Sequence, residues 1–456
     1  MPERMSESRV ASLLPAGFPT PAEVAAGTPA TRDRAIDVIR ITALVGVVLG
    51  HTVMATSTIR DDVFIWNNLL TASPVFQALT WVFQIMPLFF FAGVAACVDS
   101  WKAGTSWGNW LLRRCTRLYR PVFYYLAFWG VALVTLRVVL PEHVYEPIAG
   151  ISIQLLWFLG AYVLVLAAVP LLTHITTTAR LAAAVIGAYA FVAAIDVLRI
   201  NLEMPKLVSY LNMAAWLIPG MLGVAYRRRL LDGRTALGVG MAMLGVNLAL
   251  LWCGPYELSL VGIETQQLKN MTPPSLLLAG HAIMMCAFAI AAAPAINRWA
   301  QRPRVWWLAA IGNSGAMTLY LWHMPALLAM HLVFDHLGMP RFDPAADGFV
   351  LLSVVQLAVM AGLIGLAFVT LRPLENDPLP LWDGGLVSRP GPRSAAVGAL
   401  LCVAGAATLA SVGWGLKDLG LWCVAVMLVA LVGARGLAND AAVSLPRVTK
   451  RAVTAI

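Results

Sequence analysis

Hydrophobic residues in this chain fall in long blocks, broader than the one-sided stripe of a soluble amphipathic helix and longer than a strand. Twelve blocks approach or reach the roughly 20 apolar residues that carry a helix across a bilayer: 36–56, 75–98, 118–139, 151–173, 180–198, 208–226, 236–253, 275–296, 313–334, 349–371, 395–413 and 417–435. The pattern predicts an all-α polytopic transmembrane helix bundle, with a ten-helix core over 34–371 and two C-terminal helices over 395–435. Residues 1–33 are rich in Pro, Ala, Thr and Glu and lack the apolar middle and cleavage site of a signal peptide, so a disordered cytoplasmic tail is expected there. The Pro- and Gly-dense stretch 372–394 reads as a cytoplasmic linker, and 436–456 as a basic cytoplasmic tail.

Composition agrees with this architecture. The chain is 60% hydrophobic and 12% charged, with a mean hydropathy of +0.77, whereas soluble domains carry about 25% charged residues. Many of its sixteen Trp flank the apolar blocks, as aromatic belts at a bilayer surface do. With the N-terminus inside and twelve crossings, 25 Lys and Arg fall on the cytoplasmic side and 7 outside. That asymmetry places both termini in the cytoplasm of a multi-pass cell-membrane protein. The net charge of +9 is therefore topological, and with no basic soluble domain it does not point to nucleic acid. Six cysteines are scattered singly, which suggests neither a disulfide framework nor a metal site. No internal repeat and no matched pair of broken helices favours a carrier.

Ionisable side chains deep in the blocks are few, and such residues are functional by default. Arg40 and His51 stand eleven positions apart in the first block, which sets them on nearly one helical face about 16 Å apart. His323 lies at a similar depth in the ninth block, so the two histidines can meet, with Ser314, Thr318 and Tyr320 offering hydroxyls nearby. The plainer reading is that each histidine bonds a neighbouring helix as packing glue. His281, in the outer third of its block, reads as structural. A second concentration, LLRRCTRLYRP, holds Arg113, Arg114, Arg117 and Arg120. Its guanidinium groups suit bidentate phosphate binding, and equally an ordinary positive-inside anchor. No P-loop, HExxH, GxSxG or dinucleotide fingerprint occurs in a credible context.

Four ordered blocks resemble the membrane-bound acyltransferase family 3. RAIDVIRITALVGVVLGH is similar to that family's Arg-x10-His helix, MPLFFFAG followed by LLRRCTRLYRP to its FFF-type helix and Arg-x-x-Arg turn, and LLWFLGAYVL and TLYLWHMP to its Trp-Phe and Tyr-Leu-x-His stretches. The chain departs from the family pattern in having Ala92-Gly93 after the phenylalanines, where many members have Ser-Gly, and no Glu in the fourth block. The resemblance implies an O-acyltransferase that moves an acyl group, often acetyl, from cytoplasmic acyl-CoA to a hydroxyl of an extracytoplasmic glycan, lipid or small molecule, with no permanently bound cofactor. It implies a cell-envelope role, Arg40 with Arg114 and Arg117 at the CoA phosphates, to which spacing adds Arg113, and His51 as base. His323, Tyr320 or a helix terminus would stabilise the oxyanion, and direct transfer and an acyl-histidine relay both stay open. Two rivals from other classes are an exporter of an envelope polysaccharide or its precursor and an accessory scaffold. An exporter's flux would survive loss of His51, and a scaffold gains nothing from mid-membrane histidines.

Overall fold

The computed structural model describes residues 18–202, 206–263, 268–387 and 389–440, so the expected basic tail lies outside the described residues from 441 onward. Among the described residues, eleven helices or helix pairs are long and apolar enough to cross a membrane, in keeping with an all-α polytopic bundle. The sixth expected crossing, 208–226, is divided into a 3-10 segment, Tyr210–Trp216, and a helix, Leu217–Arg227. At 2.0 and 1.5 Å per residue the two together extend roughly 30 Å.

Chain order begins with α1 (Pro21–Gly27) and α2 (Arg34–Met54). A hairpin of β1 (Ala55–Arg60) and β2 (Val63–Asn68) continues directly from α2. There follow α3 (Pro74–Phe83), α4 (Met86–Cys97), α5 (Trp107–Val139), α6 (Glu142–Ile151), α7 (Leu156–Leu172), α8 (Thr178–Asn201) and α9 (Leu217–Arg227). The remaining helices are α10 (Gly233–Cys253), α11 (Leu276–Trp299), α12 (Pro303–Ser314), α13 (Ala316–His336), α14 (Phe349–Asn376), α15 (Pro392–Ser411) and α16 (Asp418–Leu437).

α2 is the central element and packs against α4, α11, α12, α13 and α14. Asp33 starts it by accepting a hydrogen bond from the Ile36 amide, satisfying one of the orphan donors of a helix N-terminus. Its far end passes without a loop into the antiparallel hairpin, in which Ala55 pairs with Asn68 and Arg60 with Val63. Asp61 and Asp62 form the two-residue turn, both at positive φ (50° and 59°), as a type I′ hairpin turn requires. An all-helical expectation missed this hairpin.

Two other expected crossings are broken. The chain leaves helical geometry at Gln84 and Ile85, between α3 and α4, just before Pro87, which cannot donate into a preceding turn. Gly315 separates α12 from α13, where the Phe368 ring occupies the space of a side chain. α13 therefore begins at Ala316 and not near Asn313. Residues from Thr20 to Gly27, expected as part of a disordered tail, instead form a helix closed by a reciprocal Thr20–Glu23 capping box. Val24 buries against Trp306, Ala309 and Ala310 of α12, and the Trp306 and Trp307 indoles donate to Thr28 Oγ1 and the Pro19 carbonyl, each at 2.7 Å. Buried apolar contact and paired polar groups give this segment what a disordered tail lacks.

The Pro/Gly-rich linker divides the sequence more than it divides the bundle. Trp382 is buried and donates to the Thr116 carbonyl. α15 packs on α5 and α7, so closely that a side chain at Gly160 would overlap the Gly405 carbonyl. The last two helices are thus built against the core through small residues.

Candidate active site

His51 and His323 meet in the interior. His51 Nδ1 lies 2.9 Å from His323 Nε2, and their ring centroids are 5.1 Å apart. His323 is fully buried, and its other nitrogen, Nδ1, lies 3.2 Å from the Leu319 carbonyl one turn earlier. A carbonyl can only accept, so His323 Nδ1 carries the proton and His323 Nε2 presents a lone pair. His51 must then donate through Nδ1–H, which leaves His51 Nε2 unprotonated. This tautomer assignment follows from the hydrogen-bond network.

His51, and not His323, reaches open space. It lines a chamber of about 270 Å³ beside the hairpin, together with Trp66, Asn67, Gln84, Trp157 and Tyr320. Tyr320 was expected as an oxyanion donor, but its hydroxyl donates to the Leu155 carbonyl at 2.6 Å. Its ring packs 6.1 Å from that of His323 and 5.4 Å from that of Phe158. Tyr320 thereby positions the start of α7. His323 likewise stands behind His51 and does not line the chamber.

The opposite end of α2 opens into two joined cavities of about 710 and 840 Å³, which share Arg40, Ala96 and Arg117. The first is lined by Arg40, Arg113, Arg114 and Arg117, together with Gly93 and Tyr162. Arg40 is aimed by α12: its Nε donates to Asn313 Oδ1 at 2.6 Å, and Asn313 Nδ2 donates to the Asp37 carbonyl at 2.8 Å. Arg114 lies over the Trp110 ring, 3.6 Å from its centroid, and donates to Ser100 Oγ at 2.6 Å. Arg113 and Arg117 have no protein partner among the described residues, and both are exposed to the cavity. Arg120 has a different task. It is buried and paired with Asp383 of the linker, and it also donates to the Glu375 and Asn376 carbonyls.

Residues 33–372 match the family described as the acyltransferase domain of acyltransferase family 3. The chain belongs to that family. No curated protein and no solved structure matches it. The match covers the whole helical core through α13 and most of α14, and it makes the protein a membrane acyltransferase, not the exporter or scaffold its architecture alone allowed.

Several residues that hold this candidate site together carry no motif. Glu375, at the end of α14, accepts the Met317 and Thr318 amides at 3.3 and 2.8 Å and so caps the helix that carries His323. Arg341 is buried in the loop after α13. It donates to the Val53 carbonyl at 2.6 Å and to the Ala55 carbonyl, closing the end of α2 one turn beyond His51. Burial pushes its pKa down to about 10, still high enough to keep it charged at neutral pH. Ser57 in β1 donates to Asp335 Oδ2 at 2.6 Å and accepts from His331 Nδ1 at 2.7 Å, tying the hairpin to α13. Among the described residues no group of three His, Cys, Asp or Glu side chains is placed to hold a metal ion.

Proposed function

We propose that the protein transfers an acyl group, acetyl in the simplest case, from acyl-CoA entering at the Arg40 end to a hydroxyl entering the hairpin chamber. The observation that carries this reading is the hydrogen-bond chain from the Leu319 carbonyl through His323 to His51, which leaves Nε2 unprotonated on a histidine that lines the chamber. A neutral imidazole oriented through its other nitrogen is suited to act as a general base.

Arg113 and Arg117, with Arg40 and Arg114, would hold the donor's phosphates. The roughly 16 Å of helix between Arg40 and His51 suits the reach of a pantetheine arm. His51 Nε2 then takes the acceptor's hydroxyl proton as the oxygen attacks the thioester carbonyl. The C–S bond breaks, and the proton passes from His51 Nε2–H to the leaving thiolate, releasing CoA-SH and the O-acyl product. The excess of cationic residues at the Arg40 end supports a cytoplasmic donor and an acceptor reached from outside.

The test uses purified protein in vesicles and measures acyl-CoA binding and CoA-thiol release. His51→Ala is expected to bind acyl-CoA normally and to lose turnover by a factor within about 10²–10⁴, whereas Arg40→Ala weakens acyl-CoA binding. Full turnover by a folded His51→Ala protein would overturn the assignment.

A further inference from the structure

The chamber beside His51 differs in kind from the cavities at the other end of α2. The larger of those is lined by acidic and basic side chains, including Arg40, Arg117, Asp37 and Glu375, and the other by Arg40, Arg113, Arg114 and Arg117. Among the described residues, no Asp, Glu, Lys or Arg lines the hairpin chamber. Besides His51 and the hydroxyl-bearing Thr80 and Tyr320, its polar side chains are the carboxamides of Asn67, Asn68, Gln84 and Gln154 and the indoles of Trp66 and Trp157.

Of these carboxamides, that of Gln84 is buried and donates to the Leu260 carbonyl and Met271 Sδ, and the other three are available. Asn67 Oδ1 accepts from the Asn68 amide at 2.8 Å, and Asn68 Oδ1 from the Leu70 amide at 3.0 Å. Both oxygens are thus used within the hairpin end, and the NH₂ groups have no protein partner among the described residues. Gln154 is exposed and likewise has none. A carboxamide binds hydroxyls as donor and acceptor without carrying charge, and an indole face offers apolar surface to the C–H face of a saturated ring. The rest of the wall is largely apolar and includes four methionines, whose flexible thioethers adapt to an irregular outline. At about 270 Å³ the chamber falls just under the ~300–1,000 Å³ of ordinary small-molecule sites, which is room for one substituted ring.

We infer that the chamber selects an uncharged, hydroxyl-bearing ring: a single neutral monosaccharide unit, as a simple glycoside or at the end of a longer acceptor that extends outward past the hairpin. This rests on the acyl-transfer reading, because the bound ring is taken to present a hydroxyl to His51 Nε2. A ring carrying a carboxylate or phosphate is rejected, since the chamber would desolvate that anion without a counter-charge.

The experiment uses the purified full chain in lipid nanodiscs, with a panel of neutral methyl hexosides, their uronates and their 6-phosphates. Binding is read by equilibrium dialysis, and acylation by the mass gained with acetyl-CoA as donor. At least one neutral hexoside is expected to bind saturably, with its uronate and 6-phosphate about tenfold weaker or worse. Gln154→Lys sets a cation in the chamber and is expected to improve uronate binding about tenfold relative to the neutral ring. The inference is overturned if charged and neutral rings bind alike, if Gln154→Lys leaves their ratio unchanged, or if no neutral ring binds. Dialysis is repeated with His51→Ala protein, in which the preference for neutral rings should persist. If that preference holds while the wild-type protein acylates none of the bound rings, the acyl-transfer reading fails and the selectivity of the chamber does not.

Discussion

Removing His323 tests the feature on which the proposed chemistry depends, because it separates orienting the base from being the base. His323→Ala leaves His51 Nδ1–H without its acceptor at 2.9 Å. A buried donor without a partner costs about 1–3 kcal/mol. The simplest relief is for the proton to move to Nε2, the nitrogen that must be empty to accept a hydroxyl proton. At about 1.4 kcal/mol per tenfold in rate, losing the correct tautomer lowers kcat by about 5- to 150-fold. The KM for acyl-CoA should hold within about twofold, because Arg40 lies some 16 Å along the helix. His323→Gln offers a carboxamide oxygen to the same N–H and should recover much of the rate. The fold should survive both changes, since interhelical hydrogen bonds in membranes average only about 0.6 kcal/mol. The assay is CoA-thiol release and acyl-product formation by purified protein in vesicles, with thermal melting as a folding control. Wild-type kcat in His323→Ala, or a glutamine variant no faster than the alanine variant, would refute the reasoning.

Three further outcomes follow from the geometry. Arg117→Ala should raise the KM for acyl-CoA with no change in melting temperature, whereas Arg120→Ala removes the partner of Asp383 and should destabilise the protein by about 3 kcal/mol; paired KM and melting measurements separate the two. A side chain at Gly93 would overlap the hydroxyl and ring of Tyr162, so Gly93→Ala should weaken acyl-CoA binding by about fivefold or more through overpacking at ~1–3 kcal/mol, with partial recovery when Tyr162→Leu is added, as read by titration calorimetry. Ser57→Ala strips His331 Nδ1 and Asp335 Oδ2 of their shared partner and loosens the hairpin. It should raise the acceptor's KM while acceptor-independent hydrolysis of acyl-CoA stays constant, and a parallel loss of both activities would count against a role confined to the acceptor side.

Much of the bundle was legible in the residues because hydrocarbon imposes a simple rule: long apolar blocks must be helices that satisfy their own backbone. The same rule exposed His51 and His323 as exceptions inside those blocks. What escaped notice lies where the rule does not reach. The β hairpin follows the end of a crossing and turns on Asp61-Asp62, which lacks the glycine that usually marks a two-residue turn. Arg341 and Glu375 resemble ordinary end-of-helix charges in one dimension and become anchors only because folding brings Val53 and Thr318 to them. Arg120 shows the converse: spacing grouped it with Arg117, yet burial and Asp383 give it a structural task. Spacing alone sets Tyr320 near His323, but its hydroxyl partner, the Leu155 carbonyl, is distant in sequence and leaves no local signal.

The Arg-x10-His spacing acquires a physical meaning in this fold. Eleven steps of about 100° amount to three turns plus roughly 20°, so Arg40 and His51 share a face, and a spacing one residue longer or shorter would turn His51 away from His323. That register is useful only if α2 cannot roll, and the helix is held at both ends. Asn313 and Asp37 grip Arg40 at one end, while Arg341 grips the Val53 and Ala55 carbonyls at the other. Asp37 lies on α2 itself, so the holds from outside the helix are Asn313 and Arg341, which come from the elements flanking α13 in sequence, α12 before it and the Arg341 loop after it, and α13 itself supplies His323. His51 is therefore positioned relative to its partner histidine and to the basic cleft by one continuous unit. In that arrangement the basic cleft and the chamber are joined by a rigid helix, and under the proposed reaction the substrates, not the protein, span the distance between them.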